Sequence, residues 1–168
     1  MKMSDLEKDE QLRSYTGKAL IWGDEVRVSV FLDDDSLEMC DETAGKAAAV
    51  IVKAAELAEG ARNAAEQTLI DNDYISLAGD WASSAEEAED EEQECYVMED
   101  GSKVFFPITE EDFRKSLHID EVSVYVDAEF EYESITAYVV CRPDYFAYHA
   151  IDTEIYPDGT VEEHSLAG

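Results

Sequence analysis

Bases are scarce in this chain: 12 Lys and Arg stand against 42 Asp and Glu, for a formal net charge of -30. Phosphate backbones are bound mainly by Lys and Arg that release counterions, and anionic lipid surfaces attract the same side chains. The deficit therefore argues against direct nucleic-acid binding and against docking on a membrane surface. Glycine is scarce too, at 8 residues. The P-loop, the dinucleotide fingerprint and the nucleophile elbow all need glycine at set spacings, and none of them occurs. The 3 cysteines, Cys40, Cys95 and Cys141, are odd in number, far apart and without a CxxC pair. That pattern excludes the common zinc and dithiol motifs and fits a reducing cytoplasm. His118, His149 and His164 form no HxH or HExxH arrangement, so no metal site and no cofactor is expected. The longest aliphatic run, Ala47 to Val52, is far shorter than the ~20 residues that span a bilayer. Met1-Lys2-Met3-Ser4-Asp5 leads into a charged stretch rather than an apolar signal core. The expectation is a cytoplasmic protein that does not cross a membrane.

What is present is an apolar fraction of 45% in 168 residues, enough for one domain with its own core. Residues 1–13 are polar and read as a frayed start. Tyr15 to Trp22 and Val26 to Leu32 read as a hairpin about Gly23-Asp24-Glu25, the second strand alternating Val26, Val28 and Val30 against Arg27, Ser29 and Phe31. From Thr43 to Ile70 the pattern is helical and rich in alanine, with Thr43 or Asp41 as N-cap and a break at Asp71-Asn72-Asp73. Residues 95–168 form a β-rich half. Cys95–Met98 and Lys103–Pro107 flank a glycine turn, and Thr109-Glu110-Glu111-Asp112 opens a short helix as a capping box with Asp in place of Glu. Strands follow over 121–126, 134–141, 149–156 and 160–166, the last pair joined at Pro157-Asp158-Gly159. The fold class is α+β: an N-terminal β-hairpin and a long Ala-rich helix packed with a mostly antiparallel C-terminal sheet that carries one short helix.

Four segments are candidates for chemistry. Asp33-Asp34-Asp35 and Asp71-Asn72-Asp73 lack the glycine at position six and the glutamate at position twelve of a calcium loop. Residues 80–100 hold ten acids and no base, and the core of that run, Glu86, Glu87, Glu89, Asp90, Glu91, Glu92 and Glu94, is expected to be a solvated connection over 80–94 or an acidic docking surface. The richest segment is Cys141 to Ile151, which places Arg142, Asp144, Tyr145, Phe146 and His149 in one connection between strands. Its bland reading is packing: Phe146 plugs the end of the sheet and His149 holds a turn. Its sharper readings are recognition, or a site in which Cys141 and His149 act as nucleophile and base, although a thiol in an apolar strand is more often inert.

The pattern Asp144-x-Phe146-x-x-His149-x-Ile151, the turn Asp158-Gly159 and the ending Leu166-Ala167-Gly168 resemble a bacterial family, domain of unknown function 2262. The stretch Leu69 to Trp81, with Asn72 and Trp81, is similar to a helix end of that family. Where the family has glycine before the histidine, this chain has Tyr148. The resemblance implies a bacterial cytoplasmic origin and a shared role for the Phe146/His149 turn; it lends no activity.

The function expected from these observations is a non-catalytic protein-binding or inhibitor module, of the immunity type, that meets a basic protein through an acidic surface. A small enzyme or ligand site about Asp144, Tyr145 and His149 is the alternative, and a nucleic-acid mimic with carboxylates in regular rows is another. The charge is uneven: residues 44–79 carry -2 and residues 80–100 carry -10. Burial of the long helix accounts for the first figure.

Overall fold

The computed structural model describes residues 6–88 and 93–167 and has an α+β fold. Strands β1 (Glu7–Asp9), β2 (Ser14–Ile21) and β3 (Asp24–Leu32) open the chain. Trp22 and Gly23 make the β2–β3 turn with φ of 52° and 93°, the doubly left-handed geometry that matches the twist of a tight hairpin. The turn is therefore one residue earlier than the glycine–acid triplet suggests, and Asp24 pairs with Ile21. The start is not frayed over its whole length: Glu7–Asp9 pairs with β2, and the Asp9 carboxylate accepts the amides of Gln11 and Leu12 at 2.8 and 2.9 Å.

Helices α1 (Asp41–Gly60), α2 (Arg62–Asp71) and α3 (Tyr74–Ala82) follow. The expected helix over 43–70 is divided at Gly60 and Ala61, where glycine's conformational freedom weakens the helix. The cap is Cys40 rather than Thr43 or Asp41; Thr43 lies three residues inside and its Oγ1 accepts the Cys40 amide at 2.9 Å. Ala47, Ala54, Ala58, Ala61 and Ala65 are all buried, so the alanine face lets the helices approach the sheet closely. Asp73 takes a left-handed φ of 61° and restarts the chain as α3, which turns the apolar patch Tyr74 to Trp81 into a helix.

Part of the acidic connection lies in regular structure. Asp80 belongs to α3, and β4 (Glu86–Glu87) pairs with β5 (Cys95–Val97), which pairs with β6 (Lys103–Phe105). Glu89, Asp90, Glu91 and Glu92 lie outside the described residues. Helix α4 (Glu110–Ser116) has the expected capping box: the Asp112 amide donates to Thr109 Oγ1 at 3.1 Å and the Thr109 amide to Asp112 Oδ2 at 3.3 Å. Strands β7 (Leu117–Val126), β8 (Ile135–Cys141), β9 (Ala150–Ile155) and β10 (Val161–Ala167) complete a seven-stranded sheet in the order β1-β2-β3-β7-β8-β9-β10. All its pairs are antiparallel except β3–β7. That parallel pair needs a long crossover, which the helices and the small sheet provide.

Side chains alternate across the sheet. Val26, Val28, Val30, Val122, Val124, Ile135, Ala137, Val139, Ile151 and Ile155 are buried on the face under the helices. Arg27, Phe31, Glu121, Tyr125, Tyr138, Asp152 and Glu154 alternate with them on the other face. No helix among the described residues is long and apolar enough to cross a membrane.

Candidate functional site

The connection from β8 to β9 is built by one carboxylate. Asp144 Oδ1 accepts the Phe146 amide at 3.2 Å and Oδ2 accepts the Tyr148 amide at 2.7 Å, a local side-chain–backbone arrangement typical of Asp in turns. The curl forces Ala147 and Tyr148 to φ of 50° and 66°. Tyr148 thus occupies a backbone conformation that glycine adopts without strain, which explains physically why glycine fits that position. Phe146 is fully buried, with its ring edge-on to Tyr74 at 6.0 Å and to Trp81 at 5.9 Å. His149 Nδ1 lies 2.8 Å from the Phe146 carbonyl and 3.1 Å from that of Ala147. A carbonyl only accepts, so Nδ1 carries the proton; the ring meets Trp81 edge-on at 5.3 Å.

The five candidate turn residues therefore separate. Phe146 and His149 face α3, where they lock the turn against Trp81. Arg142 and Tyr145 face the other way and line a cavity with β6 and α4. Tyr145 stacks on Phe113 at 6.3 Å, and burial pushes its phenol up to about 12. Arg142 Nη1 reaches Asp24 Oδ2 at 3.3 Å, beside His118 Nδ1 at 2.5 Å from the same oxygen. The His118 hydrogen bond is the main reason the Asp24 carboxyl sits below its ordinary value.

An acid–base pair of Cys141 and His149 does not form. Cys141 is buried and desolvation pushes its thiol up to about 12, which suppresses the thiolate that reacts. The groups that act on the thiol are Ser116 and Asp144, not His149. Cys40 is the opposite case: it is exposed at the start of α1, and hydrogen bonds from Thr43, the backbone amide foremost, hold its thiol below the ordinary value. A colorimetric thiol reagent is expected to titrate one cysteine in the native protein, at Cys40, and all three only after denaturation; rapid loss of two or three native thiols would contradict this burial pattern.

Of the acidic run, Glu86, Glu87 and Glu94 fall among the described residues. Glu86 and Glu87 are exposed on β4, and Glu94 is exposed just before β5. A second concentration of carboxylates lies at the end of the sheet where the loop over 127–134 folds back. There a cavity of about 520 Å³ is lined by Asp33, Asp127, Glu131, Glu133 and Glu154 together with Tyr125 and Tyr132, and by no Lys or Arg. Asp127 holds the loop, accepting the amides of Glu129 and Glu131 at 2.9 Å each. Tyr125 is 61% exposed and stacked on Phe31 at 5.0 Å, so its ring is pre-positioned toward solvent. The signal was in the sequence: Asp127-Ala-Glu129-Phe130-Glu131-Tyr132-Glu133 alternates acids with aromatics. The open face interleaves its carboxylates with Tyr125, Thr136 and Tyr138, which is unlike the regular acidic rows of a nucleic-acid mimic.

Among the described residues, Glu154, Glu162 and His164 bring one ligand atom each within 4.8 Å of one another on the β9–β10 hairpin. A β-bulge between Glu163 and Ser165 accompanies them. His164 Nε2 is 2.8 Å from Glu154 Oε2, and the contact is exposed, a hydrogen-bonded pair that needs no metal to account for it.

A family described as an uncharacterized protein conserved in bacteria (DUF2262) matches residues 2–166, and the chain belongs to that family. No curated protein and no solved structure matches it.

Proposed function

We propose that this bacterial family member is a non-catalytic binding module that captures a basic protein through an acidic, tyrosine-lined cavity. The observation that carries the reading is the cavity formed by Asp33, Asp127, Glu131, Glu133 and Glu154 around Tyr125 and Tyr132 without a single Lys or Arg. A Lys or Arg side chain entering it would gain carboxylate partners on several sides and the face of an aromatic ring, which attracts cations. Tyrosine supplies contact area with little rotamer entropy to lose, and it is enriched in interfaces. The net charge of -30 adds long-range steering, which raises association rates for a basic partner and makes them salt-dependent. Inhibition would follow if the captured residues belong to the partner's own working surface.

The test is a pull-down from the host lysate at low and at high salt, with the wild type and with Asp127→Asn/Glu131→Gln/Glu133→Gln. The expected captures are basic proteins whose binding weakens roughly tenfold or more between ~50 and ~300 mM salt and weakens again in the triple amide variant. Neutral captures, or captures indifferent to salt, would end this reading. Glu86→Gln/Glu87→Gln serves as the comparison: a loss there equal to that at the cavity would move the docking surface to the small sheet.

A further inference from the structure

The scarcity of bases makes their placement informative. Three of the 12 Lys and Arg residues, Lys103, Lys115 and Arg142, line one cavity of about 270 Å³ between β6, α4 and the turn after β8. Asp112 is the only carboxylate in its lining, and it is already engaged by the Thr109 hydroxyl and amide of the capping box. Two other cavities have the reverse balance. The acidic cavity has five carboxylates and no base, and the groove between β2 and α1 has Lys18 against Glu56 and Glu59. In a chain whose charge excludes anions nearly everywhere, this is a local cationic pocket.

The geometry points to a phosphoryl-binding site, for inorganic phosphate or a small phosphomonoester. Lys103 makes no ion pair with any of the described residues, and Arg142 keeps 56% of its side chain exposed with one contact of 3.3 Å to Asp24, so both cations have capacity to spare. Lys115 pairs with Glu111 on the same helix and can reorient, since a surface pair of this kind is weak. Arg142 supplies a planar fork suited to two phosphoryl oxygens. Tyr145 lines the same space with its ring, and with its phenol pushed up to about 12 by burial it brings no negative charge there at physiological pH. Val104, Ile108 and Pro143 form an apolar wall beside these groups. The wall suits an organic substituent on the phosphate, and the small volume limits that substituent to about the size of one ring. Two of the five candidate turn residues thus act at this pocket, by a route separate from the docking of a basic protein.

Titration calorimetry and amide-detected NMR with inorganic phosphate and with phenyl phosphate, at fixed pH and fixed salt, test the site on the intact chain. The expected result is saturable 1:1 binding of phenyl phosphate, tighter than that of inorganic phosphate, with shifts centred on Lys103, Lys115, Arg142 and Tyr145. Arg142→Ala and Lys103→Ala should each weaken binding about tenfold or more, and the double variant should abolish it. Both side chains are exposed, so their removal leaves the fold intact, and an unchanged melting temperature would verify that. Lys53→Ala, on the outer side of α1, should leave binding as in the wild type. Absence of saturation at ~20 mM ligand, roughly the weakest range that a specific contact reaches, would overturn the proposal. So would binding unaffected by the double variant, or shifts spread evenly over the lysines.

Discussion

Replacing Phe146 by alanine is expected to destabilise the protein by about 3–5 kcal/mol, the range for removing an aromatic side chain from a core that cannot collapse around the space left. The ring is fully buried and touches three others: Tyr74 and Trp81 edge-on at 6.0 and 5.9 Å, and Tyr145 at 6.4 Å. It joins α3 to the β8–β9 turn, and the His149 ring next to it is held by the Phe146 carbonyl. Loss of the side chain therefore removes both burial and the template on which the turn curls. Urea unfolding followed by tryptophan fluorescence measures the change, with Trp81 at the site itself. Phe146→Leu should recover much of the loss, since it leaves a smaller void. A loss below ~1 kcal/mol for Phe146→Ala, the range of surface substitutions rather than of core truncations, would mean that the turn packs on α3 without contributing to the core.

Glu66→Ala is expected to cost about 2–3 kcal/mol, for an electrostatic reason. Glu66 is only 7% exposed and accepts hydrogen bonds from Arg62 Nε at 2.9 Å and Arg114 Nη1 at 3.1 Å. Arg114 in turn binds Gln67 Oε1 at 2.8 Å and Glu110 Oε1 at 2.7 Å. One guanidinium thus fastens the seven-residue helix α4 to α2. Breaking a buried pair by removing one partner costs about 3–5 kcal/mol when the orphaned charge stays buried. Here the two arginines keep 39% and 28% of their side chains in solvent and can rehydrate, which lowers the figure. Removing one acid from a chain at -30 also relieves a little self-repulsion. A double-mutant cycle with Arg114→Ala isolates the coupling, expected at about 1–2 kcal/mol for residues in one network. Additive effects would show that α4 is held by Phe113 and Leu117 alone.

The same ion cluster shows where reading along the chain stops. Arg62 and Glu66 are spaced for a helical pair, and a helix over this segment is legible from its alanines. That Arg114 arrives from 48 positions away depends on how α4 docks, which no local pattern encodes. The candidate turn divides in the same way. Its aromatics and its His were visible as one dense segment, but the backbone reversal at Ala147 and Tyr148 sends Phe146 and His149 toward α3 and leaves Arg142 and Tyr145 facing β6. Lys103 and Lys115 carried no signal at all, because isolated lysines in sequence read as solubility. The carboxylates of 127–134 were legible as alternation with aromatics; that they close on Asp33 and Glu154 required the fold.

By itself the sequence determined the α+β class, the two glycine hairpins, the Thr109–Asp112 cap, the buried alanine face and the family. Each of these rests on interactions within a few residues: turn dihedrals, caps, and periods of 2 and 3.6 that survive in any tertiary setting. Only the tertiary structure decided that the N-terminal hairpin joins the C-terminal meander through the parallel β3–β7 pair, and that the run after α3 begins with a strand of a second sheet. It alone brought Lys103, Lys115 and Arg142 to one pocket and five carboxylates to another. Those outcomes depend on contacts between residues distant in sequence, whose selection is made by the packing of the whole core and by the placement of charge around it.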